Sequence, residues 1–179
     1  MMRARTKKRF FGKYRGIVET NTDPEFKGRI QAMVPDVLGL VPTTWALPCL
    51  ANAGVKSGVH VIPAIGTNVW IEFEHGDPNK PIWTGCFWGS TTEAPIAPPP
   101  QTNPLLPPDV VVQTVAQNTI VVSGSLAGIS ITCGPPLPTS PGIMITQAGI
   151  TISDGKGGMI AIAEGVVTIN LGALVIQQP

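Results

Sequence analysis

From residue 142 onwards the chain repeats one short phrase, a glycine followed by alternating aliphatic and small or polar residues. Gly142, Gly149, Gly158, Gly165 and Gly172 open the phrases. Behind them come Ile143 and Ile145, Ile150 and Ile152, Ile160 and Ile162, Val167 and Ile169, and Leu174 and Ile176. The interleaved positions read Met144/Thr146, Thr151/Ser153, Thr168/Asn170 and Val175/Gln177. Successive side chains of a strand point to opposite faces, so this alternation gives each strand one apolar face and one mostly polar one. Strands this short cannot bury a narrow apolar face alone and must stack with, or be wrapped by, further copies. The pattern predicts an assembled shaft whose interior is built from those ten aliphatic residues. One step between Gly149 and Gly158 is longer than the others, and its extra residues, Asp154-Gly155-Lys156-Gly157, are turn formers. They predict a small outward loop in an otherwise regular winding.

The charge distribution supports a chain with two differently employed parts. Only 13% of the residues are charged, against about 25% in a typical globular domain. Arg3, Arg5, Lys7, Lys8, Arg9, Lys13 and Arg15 all precede the first acid, Glu19, whereas beyond Pro100 the only charges are Asp109, Asp154, Lys156 and Glu164. The net charge of +1 gives the whole molecule no strong bias toward nucleic acid or membrane. Cys49, Cys86 and Cys133 lack metal-ligand or redox spacing and read as free thiols of a reducing compartment. The basic start does not lead into the apolar run of a secretory leader, and no stretch approaches a membrane span. The expectation is assembly in the cytoplasm without a signal peptide.

Residues 1–12 read as a basic arm and residues 13–90 as a small antiparallel barrel. Strand candidates in the barrel are 13–20, 28–34, 68–74 and 81–87, with short extended pieces at 45–49 and 58–62. Asn21-Thr22-Asp23-Pro24 and Gly76-Asp77-Pro78-Asn79 are turn clusters. Residues 91–109 are proline-rich and read as a stiff connector. Strand signals resume at 110–115, 119–123 and 129–132, and the segment 110–179 is assigned to the shaft.

Several phrases of the barrel carry a family resemblance: Gly12-Lys13-Tyr14-Arg15-Gly16-Ile17-Val18, Asn21-Thr22-Asp23-Pro24, Lys27-Gly28-Arg29-Ile30, Val34-Pro35-Asp36-Val37, Ile62-Pro63-Ala64-Ile65-Gly66-Thr67-Asn68-Val69-Trp70-Ile71-Glu72-Phe73, Gly76-Asp77-Pro78 and Pro81-Ile82-Trp83-Thr84-Gly85. In order and spacing, over nearly half the chain, they resemble the N-terminal OB-fold of contractile-tail spike proteins: phage baseplate assembly protein V, its lysozyme-bearing relatives and the VgrG proteins of type VI secretion. The resemblance implies an all-β chain, an OB-fold barrel followed by an intertwined trimeric β-helix. It further implies a homotrimeric needle at the centre of a baseplate that pierces the target envelope when a sheath contracts. Hub or tail-tube proteins are the expected partners of the N-terminal end, contacted by Arg3, Arg5, Lys7, Lys8 and Arg9. A PAAR-like tip protein is the expected partner of an apex formed by Ile176, Gln177, Gln178 and Pro179. The chain departs from some members of the family. The connector has no room for a lysozyme domain, and the only histidines, His60 and His75, lie in the barrel region rather than at the apex. Neither a metal nor another cofactor is expected.

Competing readings are weaker. The basic arm and an OB barrel together suit nucleic-acid binding, but Trp70, Phe73 and Trp83 sit in apolar strand contexts and read as core. Glu72, Glu74, His75 and Asp77 border a turn, where charges are ordinarily solvated, and Cys86 with a distant histidine is no motif. A structural, non-enzymatic spike is therefore the expected function, with an OB-type nucleic-acid binder as the alternative.

Overall fold

The computed structural model describes residues 8–95, 107–125, 127–135, 140–170 and 173–177. The chain divides into two compact units that meet at Glu93 and Ala94.

In the first unit, β1 (Tyr14–Thr20) pairs antiparallel with β2 (Gln31–Met33). A single helical turn, α1 (Pro35–Leu38), follows, started by a proline whose missing N–H costs nothing there. Next come three two-residue strands: β3 (Leu47–Pro48), β4 (Ala53–Gly54) and β5 (Ser57–Gly58), the last two forming a small hairpin. The expected extended piece at 58–62 is thus replaced by a hairpin ending at Gly58. Finally, β6 (Asn68–Phe73) and β7 (Pro81–Cys86) form a longer hairpin. The sheet order is β2-β1-β6-β7-β3. Ile30, just before β2, exchanges backbone hydrogen bonds with Ala46, just before β3, so the two sheet edges meet and the sheet closes into a barrel. Closure leaves few edge groups unpaired.

The alternation seen in the sequence fills this barrel. Val69, Ile71 and Phe73 of β6 point inward with Val18, Ile30, Ala32, Val34, Ala46 and Trp83. Trp83 also donates its indole N–H to the carbonyl of Gly28 at 3.1 Å, satisfying the one polar group it buries.

The Asn21-Thr22-Asp23-Pro24 turn is held by a buried carboxylate. Asp23, only 6% exposed, accepts the backbone N–H groups of Glu25, Lys27 and Arg29. Its Oδ1 also takes both Nε and Nη2 of Arg29, at 3.0 and 2.6 Å. The Arg29 guanidinium, followed by those N–H groups, holds the Asp23 carboxyl far below the usual carboxylate range, against the opposing effect of desolvation.

The second unit is a meander. Its strands are β8 (Val110–Gln113), β9 (Thr119–Val122), β10 (Ile129–Thr132), β11 (Gly142–Thr146), β12 (Gly149–Ser153), β13 (Met159–Ala163), β14 (Val166–Ile169) and β15 (Leu174–Gln177). They lie side by side in chain order as one antiparallel sheet. The segment 110–132 is continuous with the repeat rather than separate from it. Successive phrases do not wind: each strand turns back on the last, and within one chain the sheet is a single layer. The intertwining expected from the sequence is not formed by the chain alone.

The phrase glycines serve the hairpins in two ways. Between β13 and β14 the turn is Glu164-Gly165, both with positive φ (50° and 79°), the conformation of a tight two-residue hairpin turn. At Gly149 the demand is space: a Cβ there would overlap the carbonyl oxygen of Ile162 on the neighbouring strand. The inserted loop is present as expected. Asp154 Oδ1 accepts the N–H groups of Lys156 (2.7 Å) and Gly158 (2.9 Å), and those bonds hold its carboxyl below the ordinary value.

Candidate functional site

The sheet register places the aliphatic residues of the second unit in two unbroken rows on one face. In the first row Val110 stands opposite Val122, then Ile129, Ile145, Ile150, Ile162, Val167 and Ile176 follow strand by strand. The second runs Val112, Ile120, Ile131, Ile143, Ile152, Ile160, Ile169 and Leu174. All ten aliphatic residues expected to form a trimer core from the sequence therefore share one face. Six further residues join them: Val110, Val112, Ile120, Val122, Ile129 and Ile131. The sequence marked their strands, but the face they extend was not evident, because these strands lack the glycine-led spacing of the later ones.

None of the described residues of the second unit covers this face. Exposure runs from 37% at Ile143 and Ile150 to 63% at Val110, and Leu174 is 51% exposed. Val167 and Ile169 are half-buried. Among the described residues of the second unit the only buried ones are Thr119, Thr132 and Ser140; no hydrophobic side chain is buried. The hydrophobic core of the described chain lies entirely in the barrel. A single-layer sheet with an open apolar face lacks the second layer that stable domains require, and a patch of this extent marks an interaction surface. Its edges are polar: Asp109, Asp154, Lys156 and Glu164 all lie in turns or at strand ends, and no charged residue stands within β8 to β15.

The other expected site residues fall elsewhere. Arg3, Arg5 and Lys7 lie outside the described residues, as do Gln178 and Pro179. Lys8 sits 5.0 Å from the centroid of the Phe10 ring, and Arg9 donates to the backbone carbonyl of His75. These two members of the basic arm are thus folded onto the barrel. Ile176 and Gln177 belong to β15, the last strand of the sheet.

The aromatic expectation needs one correction. Phe73 and Trp83 are core, but Trp70 is on the outer side of the barrel. It packs against Phe87 with ring centroids 4.6 Å apart, and the Arg15 guanidinium lies 5.9 Å from the Trp70 ring and 5.5 Å from that of Phe87. Parity decides this: Val69, Ile71 and Phe73 face inward, so Trp70 must face out. The acidic cluster is dispersed into ion pairs. Glu72 pairs with Lys13 at 2.9 Å, and Glu74 with Lys80 at 3.8 Å. Among the described residues no three His, Cys, Asp or Glu side chains gather as a metal-binding group. The three cysteines are exposed free thiols. No described helix is long and apolar enough to cross a membrane.

Comparison with known families agrees with this division. Residues 14–88 match the family described as the type VI secretion system/phage-baseplate injector OB domain. Residues 109–175 match the phage baseplate V C-terminal trimerisation domain. Between them the two matches span most of the chain. No curated protein matches the chain.

Proposed function

Because this chain belongs to the phage baseplate V family, in which its role is structural, we propose that it is the piercing spike of a contractile phage tail or a related injection particle. The C-terminal domain is of the trimerisation type, and three copies bring their aliphatic faces together around one axis. The observation that carries this reading is the absence of any buried hydrophobic side chain among the described residues of the second unit, while two rows of aliphatic residues stand open to solvent. Full burial of such side chains is worth roughly 1.5–3 kcal/mol each. Folding of the shaft and its assembly are therefore one event.

In this reading residues 13–90 form the OB domain, 91–109 the connector and 110–179 the shaft. The ten aliphatic residues from Ile143 to Ile176, with the six added here, form the trimer core. The basic arm faces hub or tube proteins, and the β15 end receives a tip protein. Assembly takes place in the cytoplasm, and contraction of other components supplies the force. The charge-free strands suit passage through a bilayer, where each buried charge is costly. Light scattering on the purified full chain tests the reading: a homotrimer is expected, and a stable monomer overturns it.

One observation favours a second reading. Arg15, Trp70 and Phe87 form a surface group of the kind with which OB domains hold single strands. Against it, the two rings already pack on each other. Titration of a labelled oligonucleotide at low and physiological salt separates the readings; salt-sensitive binding lost in Trp70→Ala supports the second.

A further inference from the structure

The barrel presents a protruding aromatic side chain and, on another side, an open cleft lined with aromatic residues. The first is Phe26. It is 90% exposed and stands at the tip of the Asp23 loop with φ +54°, a backbone conformation unfavourable for a bulky residue. The loop is fixed around it. The Asp23 carbonyl accepts the Phe26 N–H at 3.1 Å, and the Asp23 carboxylate ties Glu25, Lys27 and Arg29 on either side. An apolar ring held out into water on a rigid, strained turn is pre-organised for docking, because little freedom is left to lose on binding.

The cleft has a volume of about 510 Å³ and is lined by Asn68, Cys86, Phe87, Trp88 and Glu93 among others. Trp88 is 65% exposed. The two features share one end of the barrel. β1 runs out at Thr20 into the Phe26 loop, next to Thr67, whose carbonyl accepts the Val18 N–H. Cys86 pairs with Val69 near the start of β6. The Phe26 loop joins β1 to β2, whereas the cleft lies by β6 and β7, so β1 separates them.

Two different, matching surfaces on one chain are what a head-to-tail contact requires, and such a contact closes when copies are arranged cyclically. We propose that Phe26 of each copy seats in the Cys86–Phe87–Trp88 cleft of the adjacent copy, so that the three barrels of a trimer close into a ring. The proposal rests on the trimeric reading above. The trimerisation domain tethers the barrels at high effective concentration, so a contact too weak to hold free barrels together still forms.

The native Cys86 supplies the test. In a full-length Cys49→Ser/Cys133→Ser background, Phe26→Cys is oxidised gently with diamide and run on a non-reducing gel. Covalent dimers and trimers are expected, at least tenfold above the same protein carrying Cys86→Ser. A covalently closed monomer, or cross-linking within twofold of that control, overturns the proposal. Light scattering before oxidation separates the two levels: an uncross-linked trimer removes only the ring contact, and a monomer removes the trimer with it. As an independent readout, Phe26→Ala is expected to raise iodide quenching of Trp88 fluorescence in the intact trimer, measured against a Trp88→Phe reference; unchanged quenching counts against the contact.

Discussion

Ile152 and Thr151 are neighbours on β12 that point to opposite faces of the sheet, so the pair tests which face is interior. Ile152 is 43% exposed in the single chain, which leaves about 1 kcal/mol of burial per copy still to be gained on assembly. Ile152→Asp forfeits that gain and places a carboxylate where water is excluded, a penalty of several kcal/mol per ion. Three copies bring the loss to on the order of 10 kcal/mol or more per trimer, before counting repulsion among the three carboxylates. For comparison, the thirteen open side chains of the face expose the equivalent of about six whole aliphatic residues per chain, or roughly 9–18 kcal/mol. Tenfold in affinity takes about 1.4 kcal/mol, so the variant is expected to lose the trimer at micromolar concentration. Thr151→Asp, on the other face, is expected to keep it. Size exclusion with light scattering on both variants reads the outcome. A stable Ile152→Asp trimer, or a dissociated Thr151→Asp, would refute the assignment of the inner face.

Other expectations follow from individual residues. Gly149→Ala must push a methyl into the Ile162 carbonyl, whereas Gly165→Ala meets no atom within 4 Å and costs about 1 kcal/mol for its positive φ; thermal melting is expected to rank Gly149→Ala as the more damaging. The Asp23 carboxyl titrates below its unfolded value, so its contribution to barrel stability is present above about pH 4 and fades as the pH falls further toward the folded pKa. Acid melts should show that loss, and Asp23→Asn should lower the melting temperature at neutral pH while flattening the acid dependence; an unaltered profile contradicts the carboxylate's role. Because shaft folding is tied to association, the melting temperature of the second unit should rise with protein concentration in calorimetry, and concentration-independent melting argues for a self-sufficient fold.

Strand parity was fully readable in the chain. Val69/Ile71/Phe73 and Ile143/Ile145 mark their buried or apolar faces by alternation alone; Trp70, read as core from its apolar surroundings, has the opposite parity and lies outside the core. The direction of connection was less accessible. A glycine followed by a short strand serves equally for a corner in a winding and for a hairpin; Glu164-Gly165 adopts positive φ at both residues only because the next strand returns alongside the last. Register was also hidden, since aligning Val112 with Ile120 or Ile143 with Ile152 depends on the lengths of the connections 114–118 and Gln147-Ala148. The Asp23–Arg29 pair reads in sequence as part of a polar turn. Its surroundings are set by distant chain: the Ile30–Ala46 bridge brings the Trp45 ring to 5.5 Å from the Arg29 guanidinium.

The meander also constrains how such a protein can change in length. Each strand advances the sheet by about 4.8 Å, so the eight strands extend roughly 38 Å. Insertion of one in-register hairpin carrying two aliphatic residues per strand on the apolar face adds about 10 Å and continues both aliphatic rows unbroken. Insertion of a single strand instead reverses the direction of everything after it. Reach is therefore adjustable in whole hairpins, without redesign of either end, and the spans available to such a device come in discrete increments.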